Sequence, residues 1–284
     1  MIIIKIGFIG AGKVGFSLGK YFTENNILVS GYFSKNPESA KLASVFTKTK
    51  HYLTIEQLVD ESDTIFITTS DEQVSNIWNI LIELPIKNKL ICHTSGSLSS
   101  EIFKDLHRSG AFGYSIHPMF PISDKYESHK FLKDAFFTIE GSSEKIEEIT
   151  NLLNFLGNTF KVIGEENKSL YHAASVTVSN LYIGLISKAV DYLISCGFKN
   201  DEALEALYPL MKSNLENIRL KGLEKALTGP IERCDIETVK GHLKAIPKKD
   251  LDIYKSLSKE LVDISKEKNA NRDYTTLTRI LGDK

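Results

Sequence analysis

The sequence predicts an α/β fold: a doubly wound, mostly parallel sheet followed by an all-helical domain. Two observations set the layers. The first half of the chain alternates apolar, strand-like runs with helix-like segments, the pattern of a parallel sheet with helices on both faces. After about Gly164 strand signals vanish, and nearly everything to Gly282 has helical periodicity. A third observation is the most specific. Gly10-Ala11-Gly12-Lys13-Val14-Gly15 stands directly after the apolar run Met1–Ile9 and directly before an amphipathic stretch. A chain of 284 residues suits two domains, here 1–163 and 164–284.

The strand candidates are Ile2–Ile9, Ile27–Phe33, Thr64–Thr69, Lys89–His93, Gly113–Ile116 and Ala135–Glu140. Short apolar runs such as Thr64-Ile65-Phe66-Ile67 suit strands covered on both sides. Helical patterns lie between them at Lys13–Glu24, Pro37–Phe46, Ile55–Asp60, Asp71–Leu81, Ser99–Ser109 and Ser143–Leu156. Asn36-Pro37-Glu38 reads as an N-cap, a proline at the first helical position and an acid in the first turn. Residues 168–195 form one long helix whose apolar positions spread around much of its circumference, which predicts a central place in the second domain. Gly197 ends it, and Asn200 or Asp201 caps the next helix. Thr228-Gly229-Pro230 breaks a helix, and Asp235 caps another.

Composition excludes several classes of function. Hydrophobic and charged shares of 42% and 25% are those of globular chains, so global disorder is excluded. Thirty-five basic against 36 acidic side chains leave no field to attract nucleic acid or an anionic membrane. Cys92, Cys196 and Cys234 are too scattered for a disulfide framework or a zinc site. Lys5 interrupts the apolar N-terminus, which argues against a signal peptide. The stretch Leu181–Ile194 contains Lys188 and Asp191 and is short for a bilayer span. The expectation is a protein of a reducing compartment, the cytoplasm, without nucleic-acid or membrane partners.

The placement of the glycines between strand and helix makes them a dinucleotide-binding fingerprint. Gly10 permits the tight turn, Gly12 lets the backbone approach a pyrophosphate, and Gly15 lets helix and strand pack closely. Ala11, Lys13 and Val14 complete the loop, whose N–H groups face the anion. The second strand runs into Ser34-Lys35 with no carboxylate before Glu38. A hydroxyl and an ammonium there suit a 2′-phosphate, so the expected cofactor is NADP rather than NAD. Thr69-Ser70-Asp71, His93 with Ser95, and His117-Pro118-Met119 each follow a strand at its carboxyl end, where open α/β sheets bind ligands. Thr69 and Ser70 are assigned to the cofactor; His93 and His117 to substrate. His93, His117 and His172 lack metal-ligand spacing, so no metal is expected.

With these residues in place, the chain resembles the superfamily of 6-phosphogluconate dehydrogenase, the β-hydroxyacid dehydrogenases and pyrroline-5-carboxylate reductase. Within it, the chain is most similar to Rossmann-like proteins with a helical C-terminal domain of unknown function. The residues behind that match are Gly10–Gly15, His93-Thr94-Ser95-Gly96, His117-Pro118-Met119, Tyr171-His172-Ala173-Ala174 with Ser179-Asn180, and Leu227-Thr228-Gly229-Pro230-Ile231-Glu232-Arg233. The resemblance implies a Rossmann domain that holds the cofactor and a helical domain that supplies substrate contacts and a homodimer interface beyond about Leu204.

β-Hydroxyacid dehydrogenases carry a lysine and, four residues on, an asparagine; this chain has Lys168 and then His172. The resemblance thus implies that Lys168 polarises a carbonyl or imine while His172 shuttles the proton, with Ser95 and Asn180 as further catalytic groups. Arg233 would reach a substrate carboxylate. The histidine in place of asparagine, and His93-Thr94-Ser95-Gly96 in place of the acidic signature, argue against a plain 3-hydroxy acid. The implied activity is an NADP-dependent oxidoreductase acting on a small carbonyl, imine or hydroxy compound. An NADP-binding regulator without turnover, and an imine-reductase type that relies on the hydroxyls of Thr177 and Ser179, remain as alternatives.

Overall fold

The computed structural model describes residues 4–282. Strands β1 (Lys5–Ile9), β2 (Leu28–Phe33), β3 (Lys50–His51), β4 (Thr64–Ile67), β5 (Leu90–His93), β6 (Phe112–Met119), β7 (Phe136–Gly141) and β8 (Phe160–Val162) form one sheet. Its order is β3-β2-β1-β4-β5-β6-β7-β8, parallel throughout except for the β6–β7 pair. Strand order reverses between β1 and β4, which opens the crevice where such sheets bind ligands. The predicted Ile2–Ile9 strand begins in residues outside those described.

Helices α1 (Lys13–Glu24), α2 (Pro37–Thr47), α3 (Ile55–Asp60), α4 (Asp71–Leu81), α5 (Leu106–Ser109) and α6 (Ile146–Leu156) connect the strands. Alternate residues of the central strands enter separate cores on the two faces of the sheet. Phe66 and Cys92 join Phe8, Phe16 and Tyr114 on one side; Ile65, Ile67 and Ile91 join Leu58, Trp78 and Phe103 on the other. Asn36 caps α2 as the sequence predicts, its side chain accepting from the Glu38 N–H at 3.1 Å.

Three local expectations are corrected. The predicted Ser99–Ser109 helix is instead a 3₁₀ turn, Ser100–Ile102, and the single turn α5. Asp105, in the left-handed region at φ 58°, separates them. Apolar periodicity over eleven residues does not reveal such a reversal. β3 and β8 were also missed, because runs of two and three residues give no alternation to read. Finally, the run 168–195 is α7 (Lys168–Val176), a wider π turn (Thr177–Leu181) and α8 (Tyr182–Ser195). Beyond the buried Lys168 it is largely uncovered: Val178, Leu181 and Ile183 are all more than half exposed.

The chain divides into two compact units, residues up to Ser179 and from Asn180 onward. The second unit holds α8, α9 (Asn200–Ala226, kinked at Gly222), α10 (Ile236–Ala245), α11 (Leu251–Lys268) and α12 (Thr275–Leu281). Lys199, not Asn200 or Asp201, is the N-cap of α9, while Asp235 caps α10 by accepting from the Thr238 N–H at 3.1 Å. The small core of this unit is Ile231, Val239, Val262, Tyr274, Leu277 and Leu281. The helical run Glu165–Ser195 has the length and composition of a membrane span, so length does not exclude one. It is nevertheless tied into protein: Lys168 bonds to the sheet domain, and Lys188 pairs with the buried Asp250 within the second unit.

Candidate functional site

The glycine turn closes over the ends of β1 and β4. Gly10 has φ +105° and its N–H donates to Phe33 O at 2.8 Å, which brings Ser34 and Lys35 beside the turn. The Thr68 hydroxyl donates to Gly10 O at 2.8 Å. A side-chain carbon at Gly15 would overlap that hydroxyl, so the helix needs glycine to sit this close to the strand. At Gly12 the situation is opposite. An added carbon there would meet no nonlocal atom nearer than 4.0 Å (Thr68 O), and the residue is exposed at the start of α1. The protein therefore keeps open space over the N-terminus of a helix, which fits an approaching pyrophosphate. Thr69 is half-buried and Ser70 exposed at the end of β4.

A second cluster sits at the carboxyl ends of β5 and β6, organised by Ser95. The Ser95 N–H donates to His93 Nδ1 at 3.2 Å, and its hydroxyl donates to Asp71 Oδ2 at 2.8 Å. Its carbonyl accepts from Lys168 Nζ and from Ser115 Oγ, both at 3.2 Å. Ser97 adds a second hydroxyl donor to Asp71 Oδ2 at 2.9 Å. Further along the loop, Ser100 donates to Glu140 through its N–H (2.8 Å) and its hydroxyl (2.6 Å). Two carboxylates thus clamp the loop at its beginning and end.

Lys168 projects into this cluster from the start of α7. It is 3% exposed, with Nζ donating to Ser115 Oγ at 2.7 Å. Burial pushes its pKa down to about 8, while the Glu140 and Asp71 carboxylates pull it back up. Such an ammonium is poised to exchange a proton near neutrality. Tyr171 and His172 follow on the same helix. Tyr171 Oη lies 2.7 Å from His117 Nδ1, and Lys168 Nζ is 5.5 Å from the Tyr171 ring centroid. The His117 and His172 rings both pack on Gly96, where an added carbon would be 3.0 and 3.2 Å from them. Lys168, His117, His172 and Ser95-Gly96 therefore lie together.

His93 differs from the other two histidines. It is fully buried, with Nδ1 accepting from Ser95 and Nε2 3.2 Å from Ser99 O, so both ring nitrogens are used inside the protein. Both contacts are to the loop 95–99, which the ring holds at the end of β5. Ser95, likewise, spends its hydroxyl on Asp71. Asn180 lies on the π turn and the exposed Arg233 in the turn before α10, both in the second unit. Ser115, Glu140, Asp71 and Tyr171 were not assigned roles from sequence. A polar residue inside the buried strand Phe112–Met119, and a carboxylate ending the apolar strand Phe136–Gly141, were the available signals. Among the described residues, no group of three or more His, Cys, Asp or Glu is arranged to hold a metal ion.

Burial pushes the pKa of both His93 and His117 down to about 4. Below pH 6.5 the unfolded chain takes up protons that the native state refuses, so stability falls between pH 6.5 and about 4. The enclosed His93 alone is expected to contribute about 1.4 kcal/mol per pH unit in that window. Urea titrations followed by the single tryptophan, the buried Trp78, test this. His93→Gln should flatten the acid limb, and an unchanged limb would refute the assignment.

A Rossmann-like domain model matches residues 2–118, and the domain of unknown function DUF2520 matches residues 135–261. No curated protein matches the sequence significantly. Among solved structures, protein TM1727 from Thermotoga maritima is 24% identical, with a TM-score of 0.76 over 93% of this chain and 99% of that one. Protein BF3122 from Bacteroides fragilis, a proposed NADP oxidoreductase, is 20% identical, with a TM-score of 0.71 over 92% and 98%. A reductive aminase from Aspergillus terreus, in complex with NADPH and ethyl-5-oxohexanoate, is 16% identical, with a TM-score of 0.66 over 98% and 99%. At these identities the likeness establishes a shared fold.

Proposed function

We propose that this chain, which joins a Rossmann-like domain to a DUF2520 domain, is an NADP-dependent oxidoreductase acting on a small carbonyl, imine or hydroxy compound. The observation that carries the reading is Lys168. A buried ammonium, with its pKa brought near neutrality, stands at the strand ends beside the glycine turn's crevice. A protein that only sensed the nucleotide would not need a desolvated lysine there. The fold neighbours proposed as an NADP oxidoreductase or bound to NADPH support the same cofactor.

Gly10, Gly12 and Gly15 with the first turn of α1 would hold the pyrophosphate, and Ser34 and Lys35 the 2′-phosphate. Bound there, the nicotinamide would supply or accept a hydride. Lys168 would polarise the substrate oxygen or nitrogen and pass it a proton, while Ser115 and the Ser95 carbonyl fix the ammonium's position. His172 would exchange that proton with solvent. We assign the homodimer interface to the second unit, where Leu210, Leu215, Leu220 and Leu223 are all more than half exposed.

Titration with NADPH and NADH, followed by nicotinamide fluorescence, tests the cofactor assignment. NADPH should bind about tenfold more tightly or better, since one charge-assisted contact is worth about that factor. Lys35→Ala should narrow the gap, and sedimentation of the same samples should give a dimer. Binding of neither nucleotide would end the oxidoreductase reading.

A further inference from the structure

His93 and His117 end neighbouring strands but differ in one respect. His93 engages both ring nitrogens within the protein, whereas His117 engages Nδ1 alone; among the described residues its Nε2 has no hydrogen-bond partner. The Cε1–Nε2 edge of His117 faces Gly96, where an added side-chain carbon would lie 3.0 Å from each of those atoms. The loop carrying Gly96 is the one whose Ser95 carbonyl holds Lys168. The unbonded nitrogen therefore lies against the loop that holds Lys168, whose charge acts on the ring, and the bonded nitrogen against Tyr171.

The proton inventory of the pair favours one orientation, and the Thr138 hydroxyl, within reach of Tyr171 and with no other partner among the described residues, can donate to the phenol oxygen in it. Burial, with the positive charge of Lys168, keeps His117 neutral at physiological pH, and burial raises the Tyr171 pKa, so the phenol stays protonated. The pair then shares two protons over three atoms. An unprotonated imidazole nitrogen is a far stronger base than a phenol oxygen, so the better donor meets the better acceptor when Tyr171 donates to Nδ1. The remaining proton must sit on Nε2.

We propose that Tyr171 fixes His117 as the Nε2–H tautomer, making it a neutral hydrogen-bond donor to the carbonyl or imine group of the substrate. The proposal rests on the oxidoreductase reading for its substrate class. His117 would contact the reacting group; Tyr171 acts through it as a positioning residue. Being neutral, the imidazole would hold the substrate heteroatom and stabilise developing negative charge without competing with Lys168 for the proton.

The tautomer is read directly by NMR of the full chain labelled with ¹⁵N-histidine, without ligand. The signal of His117, identified by its loss in His117→Gln, should show a protonated Nε2 and an unprotonated Nδ1. Tyr171→Phe should convert it to a mixture of tautomers. A proton on Nδ1, or no change in Tyr171→Phe, would overturn the proposal. NADPH oxidation with cyclohexanone and allylamine, a pair bound by a reductive aminase of this fold from Aspergillus terreus, tests the donor role. The Gln amide nitrogen mimics Nε2 and that of Asn mimics Nδ1. His117→Gln should therefore retain activity within about tenfold, while His117→Asn loses on the order of a hundredfold. Equal losses in the two variants overturn the donor role alone. A sample that binds no NADPH overturns it together with the reading it rests on.

Discussion

Lys168→Met is expected to lower turnover by about a thousandfold while leaving the fold intact. The size follows from the proposed role: a positioned proton donor contributes on the order of 10²–10⁴ in rate. The intact fold follows from two opposed terms. Burial holds the ammonium's pKa at about 8, so the native state is penalised for its charge below that pH, and the penalty fades as pH rises toward the unfolded value near 10.5. Removing the charge relieves that penalty. It also leaves Ser115 Oγ without its donor, which costs about 1–3 kcal/mol, while the Ser95 carbonyl keeps the Ser115 hydroxyl. Methionine has nearly the same length, so no cavity opens. Stopped-flow NADPH oxidation on the substrate that the wild type reduces, beside denaturation followed at Trp78, separates the two effects. A rate within about tenfold of wild type would remove Lys168 from the chemistry and favour an imine substrate already protonated in solution. A collapse in stability instead would make it a structural residue.

Residues that carry a local rule were legible in the sequence, and residues that act across the fold were not. Gly10–Gly15, Asn36 and Asp235 announce a turn or a cap through their immediate neighbours, and the structure puts each to that use. Lys168 and His172 were legible because one helical turn places both on one face. Ser115 and Glu140 were not assigned, since their partners lie 53 and 40 positions away along the chain. What they offered was only a polar side chain in an apolar strand, which shows that a partner exists without naming it. His93 shows the converse. Its position at a strand end matched a ligand-binding residue, and nothing in the sequence signals the two internal hydrogen bonds that engage its ring. The exposed face of the 168–195 run failed for a related reason. Apolar positions around a helix demand cover, but the sequence does not say whether this chain or another supplies it.

The glycine turn supports a pair of substitutions whose effects should fall on different observables. Gly15→Ala should destabilise the protein by about 1–3 kcal/mol, because the new carbon overlaps Thr68 Oγ1 and lies 2.5 Å from the Gly10 carbonyl. Neither atom is free to retreat: the two are hydrogen-bonded to each other, and Gly10 is held to β2 through Phe33. Gly12→Ala should leave stability within about 0.5 kcal/mol of wild type. Its φ of −77° suits any residue, and the added carbon has room on all sides. That room is the pyrophosphate's in the proposed complex, so filling it should weaken NADPH binding by about 10- to 100-fold, the equivalent of a 1–3 kcal/mol clash. Denaturation at Trp78 and nicotinamide fluorescence measure the two quantities separately. If Gly12→Ala bound NADPH as wild type does, the open space above α1 would have no ligand to explain it, and the nucleotide would have to be placed elsewhere. Loss of affinity without loss of stability would locate the pyrophosphate at a residue where the folded chain alone gives no reason for glycine.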